Sequence, residues 1–385
     1  MLDKIKKFGT ENLNNLMEMG KLGQTIVLII GATIVFLILA YISNKMTLNA
    51  RNCTNMNSLY KDFPLISTIS LQNPKYKFDA FNDIGRLRNY YIKSSFNSCA
   101  AGQFKNDYVN LCALKNCIKQ GCRFLDFAVY SVNNEPVIAV SSVNDFNIKE
   151  TYNSIPFGDV MNILGTYPFS GSACPNSGDP LLIHLRIMSK NKPIYKTMAN
   201  SIYRNLEQRV LGKKYSYENN GKNLGEIELK YLMGKVVIIV DKSNALFEKT
   251  ELDEYVNIAS NSNFMRALPY NEISFAPSMN EMIQHNKKTM TICYPELGSI
   301  PKNPSALIPW KMGCQIVAMS FQNFDANLEI YNEKFDDNGS AFVLKPDNQR
   351  SIQATIIEPP DPPAAYSYKE RKILMPSNIP INISI

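Results

Sequence analysis

The stretch GCRFLDFAVYSVNNEPVIAVSS, residues 121–142, predicts two consecutive strands that follow a helix. The helix is expected over residues 111–120, because the glycine directly after it, Gly121, is a residue that commonly ends helices. The strands are expected at 122–130 and 136–140. A helix that leads into a strand is the unit that recurs along the rest of the chain.

Short apolar runs and helical stretches alternate from about residue 80 onward. Three apolar runs are predicted strands, at 180–187, 235–240 and 315–321. The run KVVIIV at 235–240 is typical of a strand buried on both faces. Helices are predicted at 156–166, 194–211 and 280–286. Alternation over roughly 270 residues predicts a parallel α/β fold, and the length fits a (β/α)8 barrel of the TIM type.

The composition is that of a globular protein with a substantial core. Of 385 residues, 45% are hydrophobic and 19% are charged, and 41 basic against 34 acidic residues give a net charge of +7. No basic stripe interleaved with aromatic residues is visible in the sequence, so no nucleic-acid partner is expected. The chain has only two histidines, and Cys112, Cys117 and Cys122 are not spaced as zinc ligands, so no metal cluster is expected.

Residues 25–42, TIVLIIGATIVFLILAYI, form an apolar run without a charge. As a helix this run would span about 27 Å, close to the hydrocarbon thickness of a bilayer. A cleaved signal peptide and a buried helix are the alternatives, but signal cores are usually shorter and a buried helix is seldom apolar on every face. The sequence therefore predicts a single-pass anchor whose partner is the lipid bilayer.

Basic residues are more frequent before this span than directly after it, which predicts a cytoplasmic N-terminus and a translocated C-terminal part. All the cysteines follow the span, and their even number permits disulfides, although the sequence does not assign the pairs. The eight are Cys53, Cys99, Cys112, Cys117, Cys122, Cys174, Cys293 and Cys314.

The chain is predicted to contain five segments: an N-terminal head (1–24), the span (25–42), a stalk or connection (43–79), the barrel (80–350) and a proline-rich tail (351–385). The stalk is expected because its residues are rich in Asn and Ser. The tail is expected to be extended, and two readings of it stay open: a segment that wraps on a partner and a loose terminus.

Five stretches together resemble the X and Y halves of phosphoinositide-specific phospholipase C. They are GCRFLDFAVYSVNNEPVIAVSS, DPLLIHLRI, YLMGKVVIIV, IPWKMGCQIVAMSFQ and FVLKPDNQR. Each motif alone is weak, but the five occur in the family's order across residues 80–350. The resemblance implies a distorted TIM-type (β/α)8 barrel. It also implies phosphodiester hydrolysis, with two histidines as general base and acid and a calcium ion at the phosphate.

The positions that correspond to the family's two histidines have lost them. In SSFN, residues 94–97, the first histidine is replaced by Phe96, and the second falls at Val140. Neither side chain can transfer a proton, and the loss of one acid or base usually lowers the rate by about 10²–10⁴. The resemblance therefore implies that the chain has no catalytic residues at these positions.

The calcium-ligand positions are mostly altered as well. Asn97 and Asp126 keep oxygen atoms, whereas Ala128 replaces an acidic ligand and Arg186 replaces a glutamate. We expect the Arg186 guanidinium to lie where the metal would be and to pair with Asp126. The calcium cofactor is therefore expected to be lost.

The substrate-binding positions keep little of the family's basic character. The lysines that would hold ring phosphates fall near Ile239 and Asp241, and an arginine falls at Ile292. Tyr294 and the proline after it remain. His184 shares a strand face with Arg186 and is expected to be a packed residue rather than a base.

The sequence thus predicts a non-enzymatic, membrane-anchored protein that acts as a structural or interaction module. The alternatives are a protein that binds inositol phosphates or lipid headgroups, and a phosphodiesterase with residual activity. The abundance of Asn, Ile and Lys is typical of A/T-rich genomes. With the membrane anchor, it is compatible with a large DNA virus, in which the protein would link a virion membrane to capsid proteins or to other membrane proteins.

Overall fold

Eight parallel strands form a nearly closed barrel in the computed structural model, which describes residues 20–353, 371–374, 376 and 380–383. The strands of this unit are β1 (Tyr90–Ser95), β2 (Phe124–Val132), β3 (Glu135–Ile138), β4 (Ile155–Pro156), β5 (Leu181–Ile187), β6 (Val236–Asp241), β7 (Ile258–Ser260), β8 (Met265–Pro269), β9 (Met290–Tyr294), β10 (Ile316–Met319) and β11 (Phe342–Leu344). The order around the barrel is β7-β6-β5-β2-β1-β10-β9-β8. The fold predicted from the sequence is confirmed.

Neighbouring barrel strands pair in parallel because helices and long loops carry the chain back between them. β3 and β4 extend β2 in antiparallel fashion, and β11 pairs antiparallel with β1. Between β7 and β8 the described residues make only an isolated bridge, from Ser262 to Met265. This seam is where the barrel stays open.

The helices are α1 (Lys21–Leu59), α2 (Leu111–Lys119), α3 (Phe157–Thr166), α4 (Pro193–Leu206), α5 (Tyr270–Ser274), α6 (Met279–Lys288), α7 (Leu307–Lys311) and α8 (Ala326–Asp337). The expected stop of α2 is present, since Gly121 has a φ of 77° two residues after the helix ends. The helix predicted at 194–211 ends earlier, at Leu206.

Helix α1 is longer than the predicted span. Its segment from residue 23 to residue 59 is long and apolar enough to cross a membrane, with a mean hydropathy of 2.8 in its most apolar part, none of which is buried. The C-terminal part of α1 lies along α2. Cys53 forms a disulfide with Cys112, and Asn57 accepts a hydrogen bond from Asn116 at 2.7 Å.

The segment 43–79, for which the sequence predicts a stalk or a connection, packs on the barrel over part of its length. It is helical up to Leu59, and some of its apolar residues, among them Met56, Tyr60 and Ile66, are buried. Tyr60 also donates a hydrogen bond to the carbonyl of Phe321 at 2.6 Å. Burial of these apolar side chains favours the state in which the segment is packed on the barrel over one in which it is detached.

A second unit contains two antiparallel strands, β12 (Arg371–Leu374) and β13 (Pro380–Ile383). The proline cluster of the predicted tail and most of the predicted N-terminal head, residues 354–370 and 1–19, lie outside the described residues.

Candidate functional site

Two neighbouring strands place three of the predicted site residues and His184 on one face. In the parallel pair β2–β5, Asp126 lies opposite His184, and Ala128 lies opposite Arg186. Alternate residues of a strand point to the same side, so the four side chains share one face of the sheet. Arg186, the last residue but one of β5, lies toward the carboxyl ends of the barrel strands, which form the mouth of the barrel.

Arg186 and Asp126 form a bidentate ion pair in this mouth. The guanidinium Nε donates to Oδ1 of Asp126 at 2.9 Å, and Nη2 donates to Oδ2 at 2.8 Å. Nη2 also donates to Oδ1 of Asn97 at 2.6 Å, while the backbone N–H of Asn97 donates to Oδ2 of Asp126 at 3.1 Å. The pairing expected from the sequence is thus present, and it includes Asn97.

The charges of this pair are fixed by their surroundings. Asp126 is fully buried and Arg186 keeps only 11% of its side chain exposed. Burial alone would raise the pKa of the Asp126 carboxyl, but the Arg186 guanidinium and the His184 hydrogen bond outweigh it and hold the pKa well below its usual range. The carboxylate conversely holds the pKa of Arg186 above its ordinary value, against the effect of burial.

His184 is a packed residue, as predicted. Its Nδ1 lies 2.8 Å from Oδ1 of Asp126, and its Nε2 lies 2.9 Å from Oγ of Ser260. Because a carboxylate only accepts, Nδ1 carries the proton toward Asp126. The ring stacks between Phe124 and Tyr294, at centroid distances of 5.6 and 6.1 Å. Ser260 was not identified from the sequence, because no pattern connects β7 with this site.

Aromatic rings fill the space around Phe96, the first position at which the resemblance implies a histidine. Phe96 is 2% exposed, and its ring lies 5.8 Å from that of Phe104 and 5.7 Å from that of Tyr294. The Arg186 guanidinium lies over the Phe96 ring, 4.8 Å from its centroid. A cation over an aromatic face is a favourable contact, so Phe96 supports the ion pair instead of transferring protons.

Val140, the second position at which the resemblance implies a histidine, is also buried. Val140 is 1% exposed, and its carbonyl accepts hydrogen bonds from the backbone N–H groups of Glu150 and Thr151. The other histidine of the chain, His285, lies on α6 and its Nε2 is 2.7 Å from Oγ1 of Thr289. It lies near the amino end of β9, away from the barrel mouth.

These residues do not fit a calcium ion. Calcium prefers about six to eight oxygen ligands. Asn97 and Asp126 offer oxygens, but both side chains are bonded to the Arg186 guanidinium, and Ala128 packs in a small apolar cluster. Among the described residues no group of three or more His, Cys, Asp or Glu side chains is arranged to hold a metal.

A pocket of about 390 Å³ remains beside this network, and its charged lining is mostly acidic. Asp241, Glu272 and Glu296 line it, whereas its cation, Arg186, is already paired. Asp241 accepts hydrogen bonds from the N–H of Ser243 and the side-chain amide of Asn261. Burial raises the pKa of the Tyr294 phenol well above its usual value, so this remaining substrate position stays neutral.

Comparison with known proteins identifies two matching family descriptions. Residues 85–242 match "Phosphatidylinositol-specific phospholipase C, X domain", and residues 238–348 match the Y domain of the same description. The crystal structure of PLC21 from L. pealei superposes with a TM-score of 0.56 at 18% identity, over 69% of this chain and 38% of that one. That similarity concerns the fold.

Two curated proteins show the range of the sequence matches. The "1-phosphatidylinositol 4,5-bisphosphate phosphodiesterase beta-4" of Bos taurus is 33% identical over 101 residues, which are 23% of this chain and 10% of that protein. The "Inactive phospholipase C-like protein 2" of Mus musculus is 25% identical over 317 residues, which are 68% of this chain and 26% of that protein. The chain thus spans only a small part of the length of these relatives.

Proposed function

Because the chain belongs to the phosphatidylinositol-specific phospholipase C family, through both its X and its Y domain, we propose that it is a non-enzymatic member that acts as a membrane-anchored structural or interaction module. The observation that carries this proposal is the Arg186–Asp126–Asn97 network, which occupies the barrel mouth with a closed ion pair. A relative with 25% identity that is named as an inactive phospholipase C-like protein supports the non-enzymatic part of the proposal.

Loss of proton transfer supports the proposal. General acid–base catalysis needs a titratable group within hydrogen-bond reach of the reacting atoms. Phe96 and Val140 have none, and His184 has both ring nitrogens engaged by Asp126 and Ser260. His184 and Ser260 are both fully buried, so neither side chain is within reach of a substrate in the barrel mouth.

The charge of the mouth pocket argues against the alternative of an inositol-phosphate binder. Three carboxylates, from Asp241, Glu272 and Glu296, face a space that a phosphorylated ring would have to enter. These carboxylates would repel the negative charge of a phosphate group. The guanidinium that lines the pocket, from Arg186, is already paired with Asp126 and does not offset this repulsion. We therefore propose that recognition of phosphorylated headgroups has been lost together with hydrolysis.

The geometry of α1 supports membrane attachment on the side of the barrel mouth. Asn49 of α1 meets Asn110 at the start of α2, and Asn57 meets Asn116 farther along, so the two helices run in parallel. Helix α2 starts at the mouth end of β1, and the residues of α1 before Asn49 therefore extend beyond the mouth. Residues 25–42 would hold the mouth toward a bilayer, about 10 Å from residue 49 at helical rise.

Exposed apolar residues on the same rim agree with this orientation. Val143, Ile148, Leu297, Ile300 and Phe324 are each more than a third exposed and lie on loops that follow carboxyl ends of strands. Contact of such residues with a membrane surface is favourable.

A hydrolysis assay tests the proposal. The purified full chain in micelles is supplied with phosphatidylinositol, with and without calcium, beside an active family enzyme as the control. We expect no turnover above background and no calcium dependence. Calcium-dependent cleavage at a rate comparable to that of the control would refute the non-enzymatic reading, and saturable binding of inositol trisphosphate would favour the headgroup-binding alternative.

The partner of such a module would be a protein at the membrane, and capsid proteins of a large DNA virus are the candidates that the composition favours. Purified particles provide the test. A fixed copy number of this chain per particle would support a structural role, whereas its confinement to host membranes would contradict the capsid-linking hypothesis.

A further inference from the structure

A second and larger pocket lies at the other end of the barrel. It has a volume of about 1020 Å³ and is lined by segments that lead into β6, β8 and β9, below the open seam between β7 and β8. These are the amino ends of the strands, so the pocket opens on the face opposite to the barrel mouth. We refer to it as the distal pocket.

Three lysines of the distal pocket are without an acidic partner. Lys214, Lys222 and Lys288 line the pocket and are exposed, and none has a carboxylate within ion-pair distance among the described residues. The pocket's two glutamates are neutralised by other cations, Glu226 by Arg88 at 3.0 Å and Glu228 by Lys230 at 2.5 Å. The distal pocket therefore carries an uncompensated charge of about +3.

Asparagine side chains fix the backbone of each of these lysines. The Asn220 amide donates to the carbonyl of Lys214 at 2.8 Å, and the Asn219 amide donates to that of Lys222 at 3.2 Å. The Asn223 amide donates to the carbonyl of Lys288 at 2.7 Å, and thereby connects the loop before β6 to the end of α6. The three cations are thus held around one cavity by segments distant in sequence.

A left-handed turn gives the loop its curvature around the pocket. Tyr217, Glu218, Asn219 and Asn220 all have φ between 52° and 55°. Such a conformation is unfavourable for residues other than glycine and asparagine and is found mostly where surrounding structure requires it. Here it brings Asn219 and Asn220 under the lysines whose carbonyls they bind.

The wall of the distal pocket also offers aromatic surface. Tyr231 is 51% exposed, and the Lys214 ammonium lies 5.3 Å from its ring centroid. Phe264 contributes a half-buried ring from the segment between β7 and β8. A cavity of this size has lysine ammonium groups on one part of its wall and aromatic side chains on another. It is suited to a ligand that carries both phosphates and a planar base.

We propose that the distal pocket binds a soluble ligand with clustered phosphates, of the size of a nucleoside triphosphate. Lys214, Lys222 and Lys288 would contact the phosphates, and Tyr231 would stack on a base if one is present. The same phosphate chemistry could be supplied by a nucleotide or by an inorganic polyphosphate. Headgroups of the bilayer that holds α1 are excluded as the source, because the pocket opens away from the side on which residues 25–42 leave the barrel.

Calorimetric titration of the full chain in zwitterionic micelles tests this proposal with two probes, inorganic tripolyphosphate and ATP. The test variant replaces the three pocket lysines by alanine. The matched control replaces Lys61, Lys192 and Lys311, which are exposed outside the pocket and have no carboxylate partner among the described residues, so it changes the net charge equally. Thermal unfolding verifies that both variants fold.

We expect saturable binding to the wild type and to the control, and an affinity at least about tenfold lower in the pocket variant, since each lost contact to a charged group is costly. Binding should weaken as salt is added. Tighter binding of ATP than of tripolyphosphate would identify a nucleotide as the ligand class, and equal binding a polyphosphate. Absence of binding to the wild type at near-physiological salt, or equal affinities in the pocket and control variants, would overturn the proposal.

Discussion

Arg186 binds the side-chain oxygens of Asp126 and Asn97, which the resemblance assigns to a calcium ion. Its guanidinium reaches both oxygens of Asp126 and the side-chain oxygen of Asn97, and its flat face rests on Phe96. Arg186, at a position where the resemblance implies a glutamate, thus supplies a fixed internal cation. The side-chain oxygens of Asp126 and Asn97 are therefore hydrogen-bonded in the folded protein although they are buried.

Replacement of Arg186 by methionine should destabilise the protein. The Asp126 carboxylate would stay buried without its cation, and removal of one partner of a buried ion pair costs about 3–5 kcal/mol. Urea unfolding in micelles measures the loss, followed by the fluorescence of Trp310, the only tryptophan of the chain. The double variant Asp126→Asn, Arg186→Met removes the stranded charge and should be more stable than the single variant. Equal stability of the two would mean that the buried Asp126 carboxylate costs no stability when its cation is absent.

Lys345 should give the protein a distinctive pH dependence. It is 1% exposed and its ammonium donates to backbone carbonyls, with the shortest bond, 2.7 Å, to Asn286. Burial lowers its pKa to about 7. Between that value and the ordinary lysine pKa the unfolded chain binds the additional proton, so the free energy of unfolding rises as the pH increases.

The measurement compares Lys345→Met with the wild type between pH 7 and pH 9. The wild type should gain about 2 kcal/mol more stability over this interval than the variant. Lys311→Met, at an exposed lysine, is the control and should follow the wild type. A variant with an unchanged pH profile would show that Lys345 is charged in the folded protein throughout the interval.

At the scale of elements, the union of α1 with α2 decides how the membrane helix is connected to the barrel. The Cys53–Cys112 disulfide closes a loop between residues 59 positions apart, and amide pairs on either side align the two helices. The other described cysteines are buried and free. Since disulfides persist in oxidising compartments, this bond agrees with the predicted transfer of the barrel across the membrane.

The double variant Cys53→Ser, Cys112→Ser should be less stable by about 2–4 kcal/mol, because the unfolded chain regains the freedom of that loop. Protease digestion should also cleave the segment 43–79 more rapidly as α1 separates from α2. Dithiothreitol should reproduce both effects in the wild type and have none in the double variant. Stability that is insensitive to the reductant in both proteins would indicate that the helices are held without this bond.

The elements that the sequence predicted correctly are those with a strong local signal. The apolar runs predicted as strands at 180–187 and 235–240 are β5 and β6. The helix predicted before Gly121 ends there, because glycine readily adopts the positive φ that follows the helix. The docking of residues 43–79 was missed because an Asn-rich composition obscured the few apolar residues that are buried. Ser260 and the distal pocket were missed because they depend on contacts between segments far apart in sequence, which no local pattern contains.

At the scale of the whole molecule, the two ends of the barrel have different surroundings. The mouth lies on the side where α1 leaves the barrel and its rim carries apolar residues, while the opposite end has the basic distal pocket. If residues 25–42 cross a bilayer, the mouth with its closed ion pair faces lipid and the distal pocket faces the aqueous space. The barrel mouth would then face the membrane, and the distal pocket would be accessible to soluble partners.

Site-directed fluorescence in nanodiscs tests this orientation. A solvent-sensitive dye is attached to a cysteine that replaces Ile300 on the rim or, in the matched protein, Lys222 at the distal pocket. Both residues are exposed, and the free native cysteines among the described residues are buried, so labelling should be selective. Lipids with a quencher at the headgroup should quench the rim dye strongly and the distal dye little, because quenching requires close approach. Equal quenching at the two positions would place the barrel on its side, and stronger quenching of the distal dye would invert the orientation that α1 imposes.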